Sequence, residues 1–207
     1  MTSPPEERIL RIVFESYWHC GSGRAGGEDA DAVVERDAEG FPYVPGRHLK
    51  GVLRQAVRHL EVLSVLTPGT TAALFGADPQ EEQELAPSAK GGETSFAALS
   101  FGSARLPAAV RRELPRELRN ELFAYLAATA IDEDTGVAKE RTLRRIEVVV
   151  PLELRARISL RTTVPARTRS DWARLLEAAF PLVTALGAHR SRGLGRVRLA
   201  WQQKEAR

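Results

Sequence analysis

The chain has 207 residues, of which 43% are hydrophobic and 28% charged, proportions that are typical of a folded globular protein and exclude disorder throughout. A single cysteine, Cys20, excludes an internal disulfide framework and a multi-cysteine zinc site. The apolar runs are too short to cross a bilayer and the first residues lack a secretory-signal pattern, so we expect a cytoplasmic protein with no membrane partner.

Runs of β-branched, aromatic and alternating apolar residues predict strands, and apolar residues spaced by three and four predict helices. The predicted strands are 8–17, 96–101, 143–151, 152–161 and 193–201, with two short strands near 33–34 and 41–44 joined by a turn at 37–40. The predicted helices are 47–65, 108–128 with an interruption near Pro115, and 170–186. The predicted loops are the glycine-rich 21–27, the acidic 76–95 and the polar 129–140.

This order of elements contains a β-α-β-β-α-β core, which is typical of the ferredoxin-like, RRM-like arrangement of the α+β class. We therefore predict a single domain over residues 1–207. Its insertions would be a Gly/Asp-rich loop at about 20–40, the acidic loop at 76–95, the helical segment at 108–128 and the segment 129–150.

Charge is distributed unevenly along the chain. Residues 1–140 carry a net charge of −7, and residues 141–207 carry +10. Such asymmetry predicts either a positive surface with a polyanionic partner or a solvated basic face that binds nothing.

The densest local signal is the segment 186–198, which holds three glycines and four arginines between a predicted helix and a predicted strand. Backbone N–H groups of a glycine-rich turn can form an anion-binding nest, and arginine adds charge-assisted contacts to phosphate. We favour phosphate binding; the alternative is a helix cap and tight turn with arginine as solvent cover. The arginines are Arg190, Arg192, Arg196 and Arg198.

A second candidate is the start of the first helix. Pro45 and Gly46 place Arg47, His48 and Lys50 on its first turn. There the free N–H groups and the helix dipole favour an anion, although a helix start that only meets solvent is equally consistent with the pattern.

A third candidate is the loop that carries Asp29, Asp31 and, further on, Asp37. One carboxylate near a phosphate-binding surface can act as a general base or hold Mg²⁺, but aspartate-rich loops are usually only soluble loops. His19 follows the first strand and is either an acid–base group or a partly buried structural histidine.

Taken together, these segments resemble the RAMP superfamily of CRISPR-associated proteins, and most of all the backbone subunit of type III effector complexes. The resemblance is carried by segments 18–23, 31–37, 40–51, 74–76, 130–138 with Glu147, and 187–195. Within them, 45–51 reads Pro-Gly-x-x-Leu-Lys-Gly, with Arg47 and His48 where the family usually has two small hydroxyl residues.

The resemblance implies that residues 129–150 form a β-hairpin thumb and that copies of the chain stack along a CRISPR RNA with other effector subunits and the target RNA. It also implies that Asp31, or Asp29 if the loop register differs, corresponds to the aspartate that cleaves target RNA with Mg²⁺ in active members. The predicted RNA-binding residues are His19, Arg47, His48, Lys50, Arg54, Arg190, Arg192, Gly193 and Gly195.

Three alternatives stay open. The chain can be the same kind of binding subunit without catalysis, in which Asp31 only shapes its loop. It can be a RAMP-type endoribonuclease that processes precursor CRISPR RNA without metal, with His19 or His48 as the acid–base residue. It can also be an adaptor whose basic half binds an acidic protein.

Overall fold

The fold is taken from a computed structural model, which describes residues 6–21, 32–77, 97–129, 136–137, 144–161 and 166–203, with only the backbone described for 166–170. The strands in these residues are β1 (Glu7–Phe14), β2 (Leu99–Phe101), β3 (Phe123–Ala128), β4 (Arg144–Val149), β5 (Glu153–Leu160) and β6 (Val197–Trp201). The α-helices are α1 (Gly46–Val62), α2 (Thr70–Phe75), α3 (Ala108–Glu113) and α4 (Ala166–Ala178). Short 3-10 helices cover Arg116–Leu122, Phe180–Leu182 and Arg190–Arg192. No helix in these ranges combines the length and apolarity needed to cross a membrane.

Four strands form one antiparallel sheet in the order β2-β5-β1-β6. The third and first strands of the β1-α1-β2-β5-α4-β6 core therefore lie in the middle, which is the ferredoxin-like strand order. The predicted α+β, ferredoxin-like fold is confirmed.

The core lies between one face of this sheet and the helices. On β5 the alternation is complete, because Leu154, Ala156, Ile158 and Leu160 are buried while Arg155 and Arg157 are exposed. The buried stripe of α1 completes the core and consists of Leu49, Leu53, Ala56, Val57 and Leu60.

The predicted helix 108–128 is wrong beyond its first turns. Pro115 forces Leu114 into an extended conformation and ends α3, and a 3-10 helix follows. Residues 123–128 then form β3, which pairs with β4 in a separate two-stranded sheet. Pairing with a distant strand has overridden a sequence pattern that also suits a helix.

The boundaries of the second long helix also differ from the sequence prediction. The second long helix runs over Ala166–Ala178 rather than 170–186, and Pro181 stands in the 3-10 helix that follows it. The short helix α2 was not predicted; it follows Gly69, which has a left-handed backbone with φ of 88°.

The insertions are partly described. The turn at 37–40 is confirmed, because Asp37 Oδ1 accepts hydrogen bonds from the N–H groups of Glu39 and Phe41, both at 3.0 Å. Of the predicted thumb, 129–150, the described residues include β4, whose partner β3 precedes the predicted segment; residues 130–135 and 138–143 lie outside the described residues. Residues 22–31 of the Gly/Asp-rich loop and most of the acidic loop, from residue 78 onward, also lie outside them.

Candidate nucleic-acid interface

The glycine-arginine turn, residues 186–195, is fastened to the segment that follows β1. Leu186 N–H donates to the carbonyl oxygen of Gly195 at 2.8 Å and closes the turn. Gly195 N–H donates to Tyr17 O at 2.7 Å, and Ala188 N–H donates to His19 O at 2.8 Å. These backbone bonds fix the turn at the end of the sheet, and its arginines extend from a rigid base.

The three glycines of this turn have different roles. A Cβ on Gly195 would lie 2.0 Å from Leu186 O, and a Cβ on Gly187 would lie 2.4 Å from His19 O. Both positions also have positive φ, so both glycines permit close backbone packing. Gly193 has a φ of 83° but no heavy atom within 4 Å of its Cβ position, so it faces open space. Of the two glycines predicted to bind RNA, Gly193 is exposed, whereas Gly195 is buried.

His48 connects the glycine-arginine turn to the start of α1. Its Nε2 accepts a hydrogen bond from Gly187 N–H at 3.2 Å, which requires an imidazole without a proton on that nitrogen. Burial, with a smaller contribution from nearby Arg190, lowers the pKa of His48 below its ordinary value and so favours this neutral form. The structure therefore brings the two predicted anion-binding segments together through one side chain.

Positive charge is concentrated around this junction. Arg47, Lys50 and Arg54 follow an i, i+3, i+7 spacing and share one face of α1. The pKa of Lys50 is lowered by burial and then by the neighbouring cations Arg54 and Arg161. We define the basic surface as Arg47, Lys50, Arg54, Arg161, Arg190 and Arg192.

Four cations of this surface differ from several arginines elsewhere in the fold. Within the part of the chain that the structure describes, no carboxylate comes within 4.0 Å of the charged nitrogens of Arg47, Lys50, Arg190 or Arg192. By contrast, Arg11 pairs with Glu153 at 2.6 Å, and similar pairs hold Arg36, Arg105, Arg111 and Arg155. A cluster of cations without acidic partners is electrostatically suited to phosphate groups.

Arg161 was missed as a site residue. The predicted strand 152–161 ends at Arg161, which lies one residue beyond β5 and close enough to Lys50 to lower its pKa. Lys50 and Arg161 are more than a hundred residues apart in the sequence, so no local sequence signal identifies them as neighbours.

His19 is a buried residue next to the glycine-arginine turn. It is 3% exposed, and its Nδ1 lies 2.6 Å from the carbonyl oxygen of Glu147. A Cβ on Gly21 would lie 2.7 Å from its Nε2, so backbone closes over the second nitrogen. This geometry agrees with the structural interpretation of His19 and leaves its imidazole little surface for RNA.

Asp29 and Asp31 lie outside the described residues, but the segment that follows them is well fixed. Ala32 O accepts a hydrogen bond from Glu147 N–H at 3.0 Å. The Glu147 carboxylate is 2% exposed and accepts from Val34 N–H at 3.0 Å and from Arg36 Nη2 at 2.5 Å. The return of the Gly/Asp-rich loop is therefore attached to β4 of the thumb.

The described residues do not provide a metal site by themselves. They contain no group of three or more His, Cys, Asp or Glu side chains placed to hold a metal ion. The buried Glu147 carboxylate contacts the segment that follows this loop, but it already accepts hydrogen bonds from Val34 and Arg36. The magnesium prediction therefore rests on Asp31, or on Asp29 if the loop register differs, and both lie outside the described residues.

Comparisons with known proteins agree with this architecture. A family model described as the RAMP superfamily matches residues 11–198. A chain from the cryo-EM structure of type III-B Cmr-beta bound to cognate target RNA is similar, with a TM-score of 0.68 and 13% identity over 95% of this chain and 97% of that one. A chain from the apo state of type III-B Cmr-beta has a TM-score of 0.67 and 13% identity over 96% of this chain and 98% of that one. At this identity the likeness shows the fold alone, and no curated protein sequence matches the chain.

Proposed function

This chain belongs to the RAMP superfamily, and we propose that it is an RNA-binding subunit of a type III CRISPR effector complex. Solved structures of similar fold come from type III-B Cmr-beta, in one case bound to cognate target RNA. We propose further that copies of the chain stack along a guide RNA as the backbone of the complex, together with other effector subunits.

The observation that carries the proposal is the basic surface. Lys50 and Arg190 are distant in the sequence. Both lie where the His48–Gly187 hydrogen bond joins the start of α1 to the glycine-arginine turn. Neither has a carboxylate in ion-pair range among the described residues. Phosphodiester groups would supply the missing negative charge, and release of their counterions would favour binding.

The test measures the salt dependence of binding to a single-stranded RNA. Each phosphate contact removed should reduce the slope of log K against log salt by roughly 0.7, so K50A/R190A should reduce it by about 1.4. Arg174 is the matched control, because it is an exposed arginine of α4 with an acidic partner, Asp171, at 3.7 Å. We expect R174A to bind as the parent chain does.

An unchanged slope for K50A/R190A, with both variants folded by thermal unfolding, would refute RNA binding by this surface. A loss of equal size in R174A would show that only general charge matters.

For catalysis we propose Asp31 as the residue that makes target cleavage dependent on Mg²⁺, which would supply a Lewis acid to the scissile phosphate when bound. Asp31→Ala should abolish Mg²⁺-dependent cleavage and leave guide-RNA affinity unchanged, and Asp29→Ala is the control for loop register. Binding without cleavage in the parent chain would instead identify an inactive subunit of the same kind.

The histidine geometry does not favour metal-independent RNA processing. His19 is buried with Nδ1 engaged by Glu147 O, and His48 uses Nε2 to hold Gly187. One ring nitrogen of each imidazole is therefore used within the fold, which leaves less of each ring for proton exchange with RNA. Cleavage of repeat RNA in the presence of a chelator, lost in His48→Ala, would contradict this conclusion.

A further inference from the structure

A second feature adjoins the basic surface: an open cleft of about 660 Å³ between the glycine-arginine turn, the 3-10 helix Phe180–Leu182 and β6. Its volume lies within the range of sites that bind small organic groups. Of the residues predicted from the sequence to bind RNA, Arg190 and Gly193 line the cleft, but that prediction does not account for its apolar part.

The cleft is amphipathic. Its floor is apolar and includes Phe180, Val183 and Val197, each no more than 5% exposed, with the half-buried Leu194 and Leu199 beside them. Its rim is cationic and consists of Arg190, Arg196 and Arg198.

The rim charges are not all neutralised within the fold. Arg198 pairs with Glu15, which also lines the cleft. Arg190 and Arg196 have no carboxylate in ion-pair range in the described part of the chain. Two uncompensated guanidinium groups above an apolar floor suit a ligand with a flat apolar part and an adjacent anion.

Arg190 also lies on the basic surface, on the other side of the same turn. The basic surface and the cleft therefore share one cation, which links phosphate contacts on the surface to the cleft. Bases of single-stranded RNA can turn out of the stack and bind protein surfaces, and guanidinium planes stack on them.

We propose that this cleft takes one unstacked nucleotide of the bound RNA, with its base on the apolar floor and its phosphate between Arg190 and Arg196. The inference rests on the proposed RNA-binding function and extends it, because it assigns a base contact in addition to phosphate contacts. A protein partner with an acidic, apolar segment is the competing occupant, and the experiment distinguishes the two.

The experiment compares an RNA oligonucleotide with an abasic oligomer that has the same ribose-phosphate backbone and length. Leu194→Asn makes part of the floor polar without changing charge. We expect about three- to tenfold weaker binding of the base-bearing RNA and no change for the abasic oligomer. Arg196→Glu should weaken binding of both oligomers, because it acts on the phosphate.

A second variant and a control keep the test decisive. Thr184 is an exposed side chain in the cleft, and Thr184→Gln should obstruct the base with no cost to the fold, even if Leu194→Asn unfolds. Leu118→Asn is the matched control, since Leu118 is 49% exposed and lies outside the cleft.

The outcomes separate this inference from the proposed function. If Leu194→Asn and Thr184→Gln lower the affinity for RNA and for the abasic oligomer equally, or lower neither, base binding in the cleft is overturned. The K50A/R190A variant still tests the basic surface in that case. If K50A/R190A also leaves binding unchanged, the RNA-binding function itself fails, and the protein occupant of the cleft is then favoured.

Discussion

Replacing the glycines of the glycine-arginine turn one at a time tests whether the turn is positioned as described. Gly193→Ala introduces a Cβ into open space, so its cost is only that of a left-handed backbone, about 1–2 kcal/mol. Gly195→Ala has the same backbone cost, and its Cβ would also lie 2.0 Å from Leu186 O. Relieving that overlap breaks two backbone hydrogen bonds, to Leu186 and Tyr17, worth roughly 0.5–1.5 kcal/mol each. We therefore expect about 2–5 kcal/mol for Gly195→Ala.

The assay is unfolding by urea and by heat for both variants and for Gly187→Ala, which would place a Cβ 2.4 Å from His19 O. Each kcal/mol corresponds to about 2–4 °C in Tm for a chain of this size. Gly195→Ala and Gly187→Ala should unfold several degrees below Gly193→Ala. Equal Tm values for the three variants would refute the close backbone packing of the turn.

Three further predictions concern buried groups. Burial raises the pKa of Cys20 to about 12, so iodoacetamide at pH 8 should modify it slowly in the folded chain and rapidly in urea; equal rates would show that it is exposed. Because burial lowers the pKa of His48, the unfolded chain binds more protons below about pH 6.5, so stability should fall as pH drops from there. His48→Gln should flatten that pH dependence of the unfolding free energy, and an unaltered dependence would mean that another group causes it. Glu147→Gln should cost about 1.5–3 kcal/mol in urea unfolding, because the 2% exposed carboxylate holds Arg36, whereas Glu153→Gln, at a more exposed pair, should cost about 1 kcal/mol or less. Equal costs for these two substitutions would mean that burial does not strengthen the Glu147 contact.

The sequence was sufficient to predict the sheet and the first helix. The alternation on β5 and the apolar stripe of α1 are local signals, and each matches a period that burial on one face imposes. The strand order then follows, because few topologies accommodate this order of elements.

Sequence patterns failed where a distant partner decides the conformation. Residues 123–128 read Phe-Ala-Tyr-Leu-Ala-Ala, which suits a helix, but pairing with Arg144–Val149 makes them a strand. At the site, the patterns indicated His48 and Gly195 as RNA contacts but did not indicate the contacts that these residues make within the fold. Contacts made with Gly187 and Leu186 show that both are used to hold backbone together.

The way in which the interface is held has a consequence for binding. Tyr17 and His19 receive backbone N–H groups from the turn, and Glu147 fixes the segment that returns from the Gly/Asp-rich loop. Because these contacts are mostly made by backbone groups, the segments that carry the cations are positioned before RNA arrives, and binding loses less conformational entropy. Substitution of Lys50 or Arg190 should therefore change RNA affinity without changing the unfolding free energy. Substitutions at residues that hold the glycine-arginine turn, such as Gly195, should lower both RNA affinity and the unfolding free energy. The two measurements therefore separate residues that contact RNA from residues that position them.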